Sequence, residues 1–257
     1  MVKIDFAKTA KDYAQHRAGF PSAFFDRLEQ KGFLNTNGHA LDIGTGTGLI
    51  AREMARRGAI VTGLDRAGSL LSEARLLDEK AEVAVRYVEA PAEAMGLHGE
   101  SFDLIVAGQC WHWFDRPKVL QQIRKLLRPG GALVIAHFDW LPIPGSMVEA
   151  TENLILQYSP DWELGGGTGL YPHWLSDLSE NDFTQIQTES FDLEVLYSPE
   201  DWRGRIRASA GVAASLPASE VRAFDLELKE VLASQFHENP LKVPHRVWWV
   251  TAQLAEA

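Results

Sequence analysis

From residue 39 to residue 137 the chain alternates short apolar runs with stretches of helical spacing. The runs fall at 39–43, 59–64, 83–88, 102–107 and 131–137, with helix-forming segments such as 49–57 between them. Strand alternating with helix predicts an α/β fold, a doubly wound and mainly parallel sheet covered on both faces and joined by right-handed crossovers. Ligands of such sheets sit beyond the carboxyl ends of the strands. Outside this region the pattern changes. Residues 1–37 read as helical turns broken at Pro21, with Ser22 as the N-cap of a helix through Leu28. From 138 to about 190 the alternation stops, in a stretch that holds Trp140, Pro142, Pro144, Trp162, Trp174 and the run Gly165-Gly166-Gly167-Thr168-Gly169. No strand precedes this glycine run, so it reads as a surface or lid turn rather than a nucleotide loop. Residues 191–197 then alternate like a strand, helices are expected near 199–210 and 218–236, and 246–250 form a last apolar run.

The densest chemical signal lies at the first of these strands. Leu41-Asp42-Ile43-Gly44-Thr45-Gly46-Thr47-Gly48 places three glycines where a strand turns into a helix, and only a residue without Cβ lets the main chain reach positive φ and approach a ligand there. The helix N-terminus welcomes negative charge. Two details speak against a dinucleotide's pyrophosphate. Leu49 stands where G-x-G-x-x-G needs its third glycine, and Asp42 would repel phosphate while suiting a ligand with an ammonium beside its carboxylate. Asp65, at the end of the second apolar run, is placed to accept hydrogen bonds from ribose hydroxyls. A ribose together with an amino-acid tail describes S-adenosylmethionine.

Over most of residues 5–137 the chain resembles the class I S-adenosylmethionine-dependent methyltransferases, of the type 11, trans-aconitate-methyltransferase-like kind. The glycine bend is similar to the family's motif I, and Asp65 to the acid at its second strand tip. Tyr87-Val88-Glu89-Ala90-Pro91-Ala92-Glu93 resembles the segment lining adenine, Ser101-Phe102-Asp103-Leu104-Ile105-Val106 the fourth strand, and Leu126-Leu127-Arg128-Pro129-Gly130-Gly131 the turn into the fifth. The resemblance implies a Rossmann-like, seven-stranded sheet ending in an antiparallel hairpin, with S-adenosylmethionine as cofactor. It divides one 257-residue domain into cap helices (1–37), a cofactor-binding core (38–137), an inserted lid (138–190) and C-terminal strands and helices (191–257). Pro91 departs from the family, which often has Asp there; Ala92 N–H and the Glu93 carboxylate remain as adenine contacts, Glu93 alternatively being a solvated loop acid. Tyr13 and Arg17 match an entry helix that closes over the cofactor's amino-acid end, where Arg17 would pair with the methionine carboxylate; its other reading is a surface arginine. The implied cofactor set comprises Tyr13, Arg17, Asp42, Gly44, Thr45, Gly46, Gly48, Asp65, Arg66, Ala92, Glu93 and Gln109.

Composition narrows the acceptor. A formal charge of −10, from 25 basic and 35 acidic residues, disfavours a nucleic-acid substrate and favours a small molecule. The single Cys110 allows no intrachain disulfide, no apolar run reaches the roughly 18 residues of a membrane span, and residues 1–6 lack a signal-peptide core, so a cytoplasmic protein without membrane contact is expected. The oligomeric state is left open.

Methyl transfer is an in-line displacement that asks mainly for alignment in a dry site. A hydroxyl or ammonium acceptor needs a base; a carboxylate does not. Gln109-Cys110-Trp111-His112-Trp113 follows the fourth strand, where the sheet edge should open. His112 is the candidate base or else packs between its tryptophans. Trp111 and Trp113 either present ring faces to the sulfonium and acceptor or fill the core. Arg203, Arg205 and Arg207 could face an acidic acceptor or serve as helix charge. No metal is expected, because His137 and Asp139 lack a third ligand nearby. Two rival readings share the glycine bend: a nicotinamide-dependent oxidoreductase, and a non-catalytic S-adenosylmethionine-binding module.

Overall fold

The computed structural model describes residues 18–97, 102–213 and 215–254. Seven strands, β1 (His39–Ile43), β2 (Ile60–Asp65), β3 (Val85–Glu89), β4 (Phe102–Gly108), β5 (Leu127–Trp140), β6 (Phe183–Tyr197) and β7 (Leu241–Leu254), form one sheet in the order β3-β2-β1-β4-β5-β7-β6. The pairs β1–β2, β2–β3, β1–β4 and β4–β5 are parallel. Leu141 N–H donates to Pro244 O and Gln253 Nε2 to Gly130 O, so the end of β5 meets the start of β7 and the two strands run antiparallel. The chain winds outward from β1 through β2 to β3, then returns to β4 on the other side of β1. That reversal makes the β1/β4 boundary the topological switch point, where an open α/β sheet leaves a crevice.

The helices are α1 (Ser22–Gln30), α2 (Leu49–Arg56), α3 (Gly68–Ala81), α4 (Arg116–Leu126), α5 (Met147–Tyr158), α6 (Trp174–Ser179), α7 (Pro199–Arg207) and α8 (Ala218–Gln235). Local chemistry explains several of their ends. Ser198 caps α7 by accepting from Asp201 N, with Pro199 at the first helical position and Glu200 and Asp201 in the first turn, where the helix dipole favours acids. Ser22, expected to cap α1, is instead its first helical residue. The cap position falls to Pro21, and the Ser22 hydroxyl bonds Asp26. Among the described residues no helix is long and apolar enough to cross a membrane.

Two strands are longer than the apolar pattern announces, for a physical reason. In β5 the fully buried stretch starts at Gly131, and the solvent-facing residues before it carry no hydrophobic signal. β6 begins eight residues before position 191 because, as the last strand of the order, it buries little, and polar residues such as Thr184, Gln185 and Gln187 are tolerated there.

The described chain forms two compact units. One gathers 19–138, 171–190 and 247–254. Its core holds Leu41, Ile43, Ile105, Trp111, Leu133, Ile135 and Trp174, all essentially unexposed. The other gathers 139–170 and 191–246, with α5, α7 and α8 packed around Trp202, Ile206, Phe224 and Leu228. Residues 138–190 are therefore not one insertion. Residues 171–190 pack with the first unit, because the rings of Tyr171 and Trp174 stack at 4.1 Å and both lie against His137 and Trp248.

Candidate functional site

β1 delivers the chain to the glycine bend at the switch point, and the bend's own hydrogen bonds define its shape. Thr45 N–H donates to Leu64 O at 3.0 Å, Gly46 N–H to Asp65 Oδ2 at 2.9 Å and Gly48 N–H to Thr45 O at 2.9 Å. All three glycines have positive φ: +68° at Gly44, +55° at Gly46 and +77° at Gly48. A Cβ on Gly44 would stand 2.8 Å from Cys110 Cβ, and one on Gly48 would stand 2.2 Å from the Tyr87 hydroxyl. At Gly46 it would meet nothing within 4 Å. The bend is thus packed tightly behind and open at its lip.

Asp42 is not at that lip. Its side chain is 2% exposed beneath the bend, where Oδ2 accepts from Thr45 Oγ1 at 2.6 Å and from Ala51 N at 3.2 Å. Burial raises its pKa to about 7, the hydrogen bonds opposing and the nearby Asp65 adding to the rise. Direct contact with a ligand ammonium, as the sequence suggests, does not follow from this placement. Asp42 braces the turn from within, and its burial removes the outward negative charge that the sequence argument relied on.

The tips of β2 and β3 carry the next group. Asp65 holds the turn that leads into α3, accepting from Ala67 N at 2.9 Å as well as from Gly46 N, and is half-buried. Arg66 beside it is exposed. Ala92 is buried in a short 3-10 turn, Ala92–Ala94. The Glu93 carboxylate accepts from Asp115 N at 3.0 Å, which ties this turn to the start of α4.

At the tip of β4, Gln109 holds φ +63°, a conformation uncommon for a non-glycine residue and a mark of functional turns. Its N–H donates to Ala136 O and its side-chain amide to Phe138 O. The following 3-10 turn, Trp111–Trp113, separates its three side chains by environment. Trp111 is fully buried and donates from Nε1 to Asp177 Oδ2 at 3.1 Å, so it is a core residue and not an acceptor contact. His112 and Trp113 are exposed, with ring centroids 4.4 Å apart. His112 also lies 5.3 Å from the buried His137 ring at the end of the neighbouring strand.

Arg203 is likewise accounted for by structure. It sits on α7 with its side chain 12% exposed, bound to both carboxylate oxygens of Asp225 and, from Nη1, to Glu200 at 2.8 Å. Arg207 shares Asp225 at 2.7 Å. Burial pushes Asp225 upward, but the two guanidiniums outweigh it and hold its carboxyl below the usual range. This ion-pair network fastens α7 to α8 and leaves Arg203 no acceptor role. Tyr13 and Arg17 lie outside the described residues.

The sequence reading missed a buried group behind the bend: Arg52, Asp78 and Tyr87. Its signal was present. Asp78 continues the apolar stripe Leu71, Ala74 of α3, and a charge on a buried stripe announces a partner. A separate cavity of about 370 Å³, lined by Asn35, Thr36, Asp103 and Gly130 among others, lies at the amino ends of β1, β4 and β5 and contains none of the predicted residues.

The sheet order and the bend at its switch point define a class I methyltransferase fold. Residues 41–135 match the profile of a family described as "Methyltransferase domain". Over that segment the chain resembles an S-adenosylmethionine-dependent methyltransferase domain. It is 35% identical over 127 residues to the ubiquinone biosynthesis O-methyltransferase of Dinoroseobacter shibae, covering 48% of this chain and 51% of that protein. Identity is 33% over 147 residues to the malonyl-[acyl-carrier protein] O-methyltransferase of Enterobacter lignolyticus, 55% of each chain. The chain spans about half the length of these curated relatives. An uncharacterized methyltransferase of Schizosaccharomyces pombe is 25% identical over 235 residues, 90% of this chain and 88% of that one. Among solved structures, a protein of Anaeromyxobacter dehalogenans provisionally described as a type II methyltransferase shares the fold at TM-score 0.62 and 21% identity, covering 93% of this chain and 97% of that one. The phosphoethanolamine N-methyltransferase 2 of Haemonchus contortus, solved with S-adenosyl-L-methionine, shares it at TM-score 0.57 and 21% identity over 98% of this chain and 56% of that one.

Proposed function

We propose that this chain moves the methyl group of S-adenosylmethionine to an oxygen, hydroxyl or carboxylate, of a small-molecule acceptor and releases S-adenosylhomocysteine. The observation that carries this reading is the inward use of three of the bend's N–H groups. A phosphate cradle needs unpaired amides aimed at the ligand. Here those of Thr45, Gly46 and Gly48 are taken by Leu64 O, Asp65 and Thr45 O, while the lip at Gly46 stays open. Such a lip accommodates a neutral or zwitterionic segment better than a pyrophosphate, which favours the sulfonium cofactor over a nicotinamide dinucleotide.

In this reading Asp65 keeps acceptor capacity for ribose hydroxyls beyond its two backbone bonds, since a carboxylate offers about four lone-pair sites. Arg66 and the turn at Ala92 flank the adenine, and Gln109 holds the tip of β4 in place. The bound cofactor supplies an electrophilic methyl carbon on a positively charged sulfur. His112 is the candidate to take the proton of a hydroxyl acceptor, with the exposed Trp113 ring beside it; a carboxylate acceptor would leave His112 without that task. The O-methyltransferase relatives support oxygen as the accepting atom. The net charge of −10 supports a small molecule over a nucleic acid.

Calorimetric titration with S-adenosylhomocysteine and with NAD tests the cofactor. Binding of the first and silence toward the second is expected, and the reverse would overturn the reading. S-adenosylhomocysteine release across a panel of phenols and carboxylic acids then tests turnover. Release with an oxygen acceptor is expected, whereas cofactor binding with no release from any acceptor would favour a non-catalytic binding module.

A further inference from the structure

Behind the glycine bend, on the side away from its open lip, lies a buried ion pair. Arg52 Nε of α2 stands 2.7 Å from Asp78 Oδ1 of α3, and each side chain is only 7% exposed. The same guanidinium donates from Nη2 to Thr47 O in the bend at 2.9 Å and to Ala74 O in α3 at 3.2 Å. Tyr87 of β3 closes the group. Its hydroxyl occupies the place of the missing Gly48 Cβ, and its ring lies 2.7 Å from where a Gly63 Cβ would be. Burial first, and then Asp78, hold this phenol protonated far above neutrality. Through Arg52, α2 is therefore tied to both the bend and α3, with Tyr87 of β3 packed beside them.

Such an arrangement is not explained by stability alone. Removing two charges from water is costly, and well-packed apolar residues of the same volume often serve a fold equally well or better. What apolar residues cannot do is hold a loop carbonyl at a fixed height. Arg52 holds Thr47 O in this way.

We infer that Arg52, held by Asp78, is a positioning residue for the cofactor bend: it fixes residues 46–48 from behind so that the open lip is preformed for the ligand. This rests on the cofactor reading above. A preformed lip avoids the cost of ordering the loop on binding, and loss of the clasp should appear as weaker binding from a still folded protein.

The test compares the wild-type chain with the double variant Arg52→Met/Asp78→Leu, which removes both charges together and leaves neither charge unpaired. Arg52→Lys, which keeps charge but loses the fork, is the conservative control. The readouts are S-adenosylhomocysteine affinity by calorimetry and amide hydrogen exchange across residues 45–48. A folded double variant with at least about tenfold weaker binding and faster exchange at the bend is expected, with the lysine variant falling between it and the wild type. Affinity within twofold of wild type, or unchanged exchange at those amides, would overturn the inference. So would failure of the double variant to fold, because the pair would then be a structural necessity. If the wild type itself does not bind S-adenosylhomocysteine, the cofactor reading fails, and the exchange measurement still decides the clasp.

Discussion

The chain contains two glycine-rich runs of nearly equal density, 44–48 and 165–169, and each is braced by a buried carboxylate. Asp42 lies under the first and is 2% exposed; Glu152 lies under the second, is 5% exposed, and accepts from Gly166 N at 2.8 Å and Trp140 Nε1 at 2.7 Å. Their surroundings differ. The first run joins a parallel strand to a helix at the switch point, with side chains pressed against the backs of Gly44 and Gly48. The second joins no strand to a helix, is held at Thr168 O by Arg246, and has nothing within 4 Å of where a Cβ at Gly166 or Gly167 would be. Glycine spacing alone therefore does not define a cofactor loop. What decides is the strand before it and the helix after it.

The sharpest way to break this contrast is a matched pair of alanines. Gly48→Ala forces a Cβ against the Tyr87 hydroxyl at a φ of +77°, and should weaken S-adenosylhomocysteine binding about a hundredfold and cost roughly 3 kcal/mol of stability. Gly167→Ala should change either quantity by less than about 0.5 kcal/mol. Calorimetry and urea unfolding measure both, and equal effects from the two variants would erase the distinction drawn here.

The two carboxylates offer the next test. Because the folded pKa of Asp42 is about 7 against 3.8 for an ordinary Asp, the folded state binds more protons than the unfolded state between those values. Its contribution to stability is then greatest below pH 4 and declines as pH rises toward 7 and levels above it. Asp42→Asn removes that decline. Relative to wild type, the variant should gain about 2–4 kcal/mol between pH 4 and pH 8, and parallel stability curves would show that Asp42 is not buried as described. Glu152→Gln should behave differently. The amide presents one acceptor where two donors converge, at a cost of about 1–3 kcal/mol, while cofactor affinity stays unchanged in a folded variant; a matching loss of affinity would mean that the second run also serves the ligand.

The smallest expected effect is at the surface of the cofactor edge. Arg66→Ala should leave stability within about 0.5 kcal/mol, since the side chain is exposed, and weaken S-adenosylhomocysteine binding a few-fold. A drop in thermal midpoint without any change in binding would remove Arg66 from the site.

Much of the molecule is legible in its letters. Apolar runs mark the five strands of the parallel region to within a few residues, most closely at β1, β2 and β4, which are largely buried, whereas β3 carries the exposed Arg86 and Glu89. The edge strand β6 is half hidden because solvent on its surface permits polar residues. The site divides along the same line. Positions whose constraint is local and backbone-based, such as Gly44, Gly46 and Gly48, are legible because positive φ selects glycine. Side chains whose role depends on where distant segments meet are not. Trp111 and Trp113 look alike in sequence, yet α6 buries the first through Asp177 while the second is exposed. Arg203 looks like an available cation until α8 brings Asp225 to it.

By itself, then, the sequence determined the alternation of strand and helix, the position of the bend and the acid that follows it, all features set by chain stiffness, side-chain period and the absence of Cβ. Only the tertiary structure decided which charges face inward: Asp42 beneath the bend, Arg52 against Asp78, Arg203 against Asp225. Burial and pairing are properties of neighbours brought together by folding, and residues far apart in sequence, such as Arg52 and Asp78 or Arg203 and Asp225, meet only after the elements that carry them have packed.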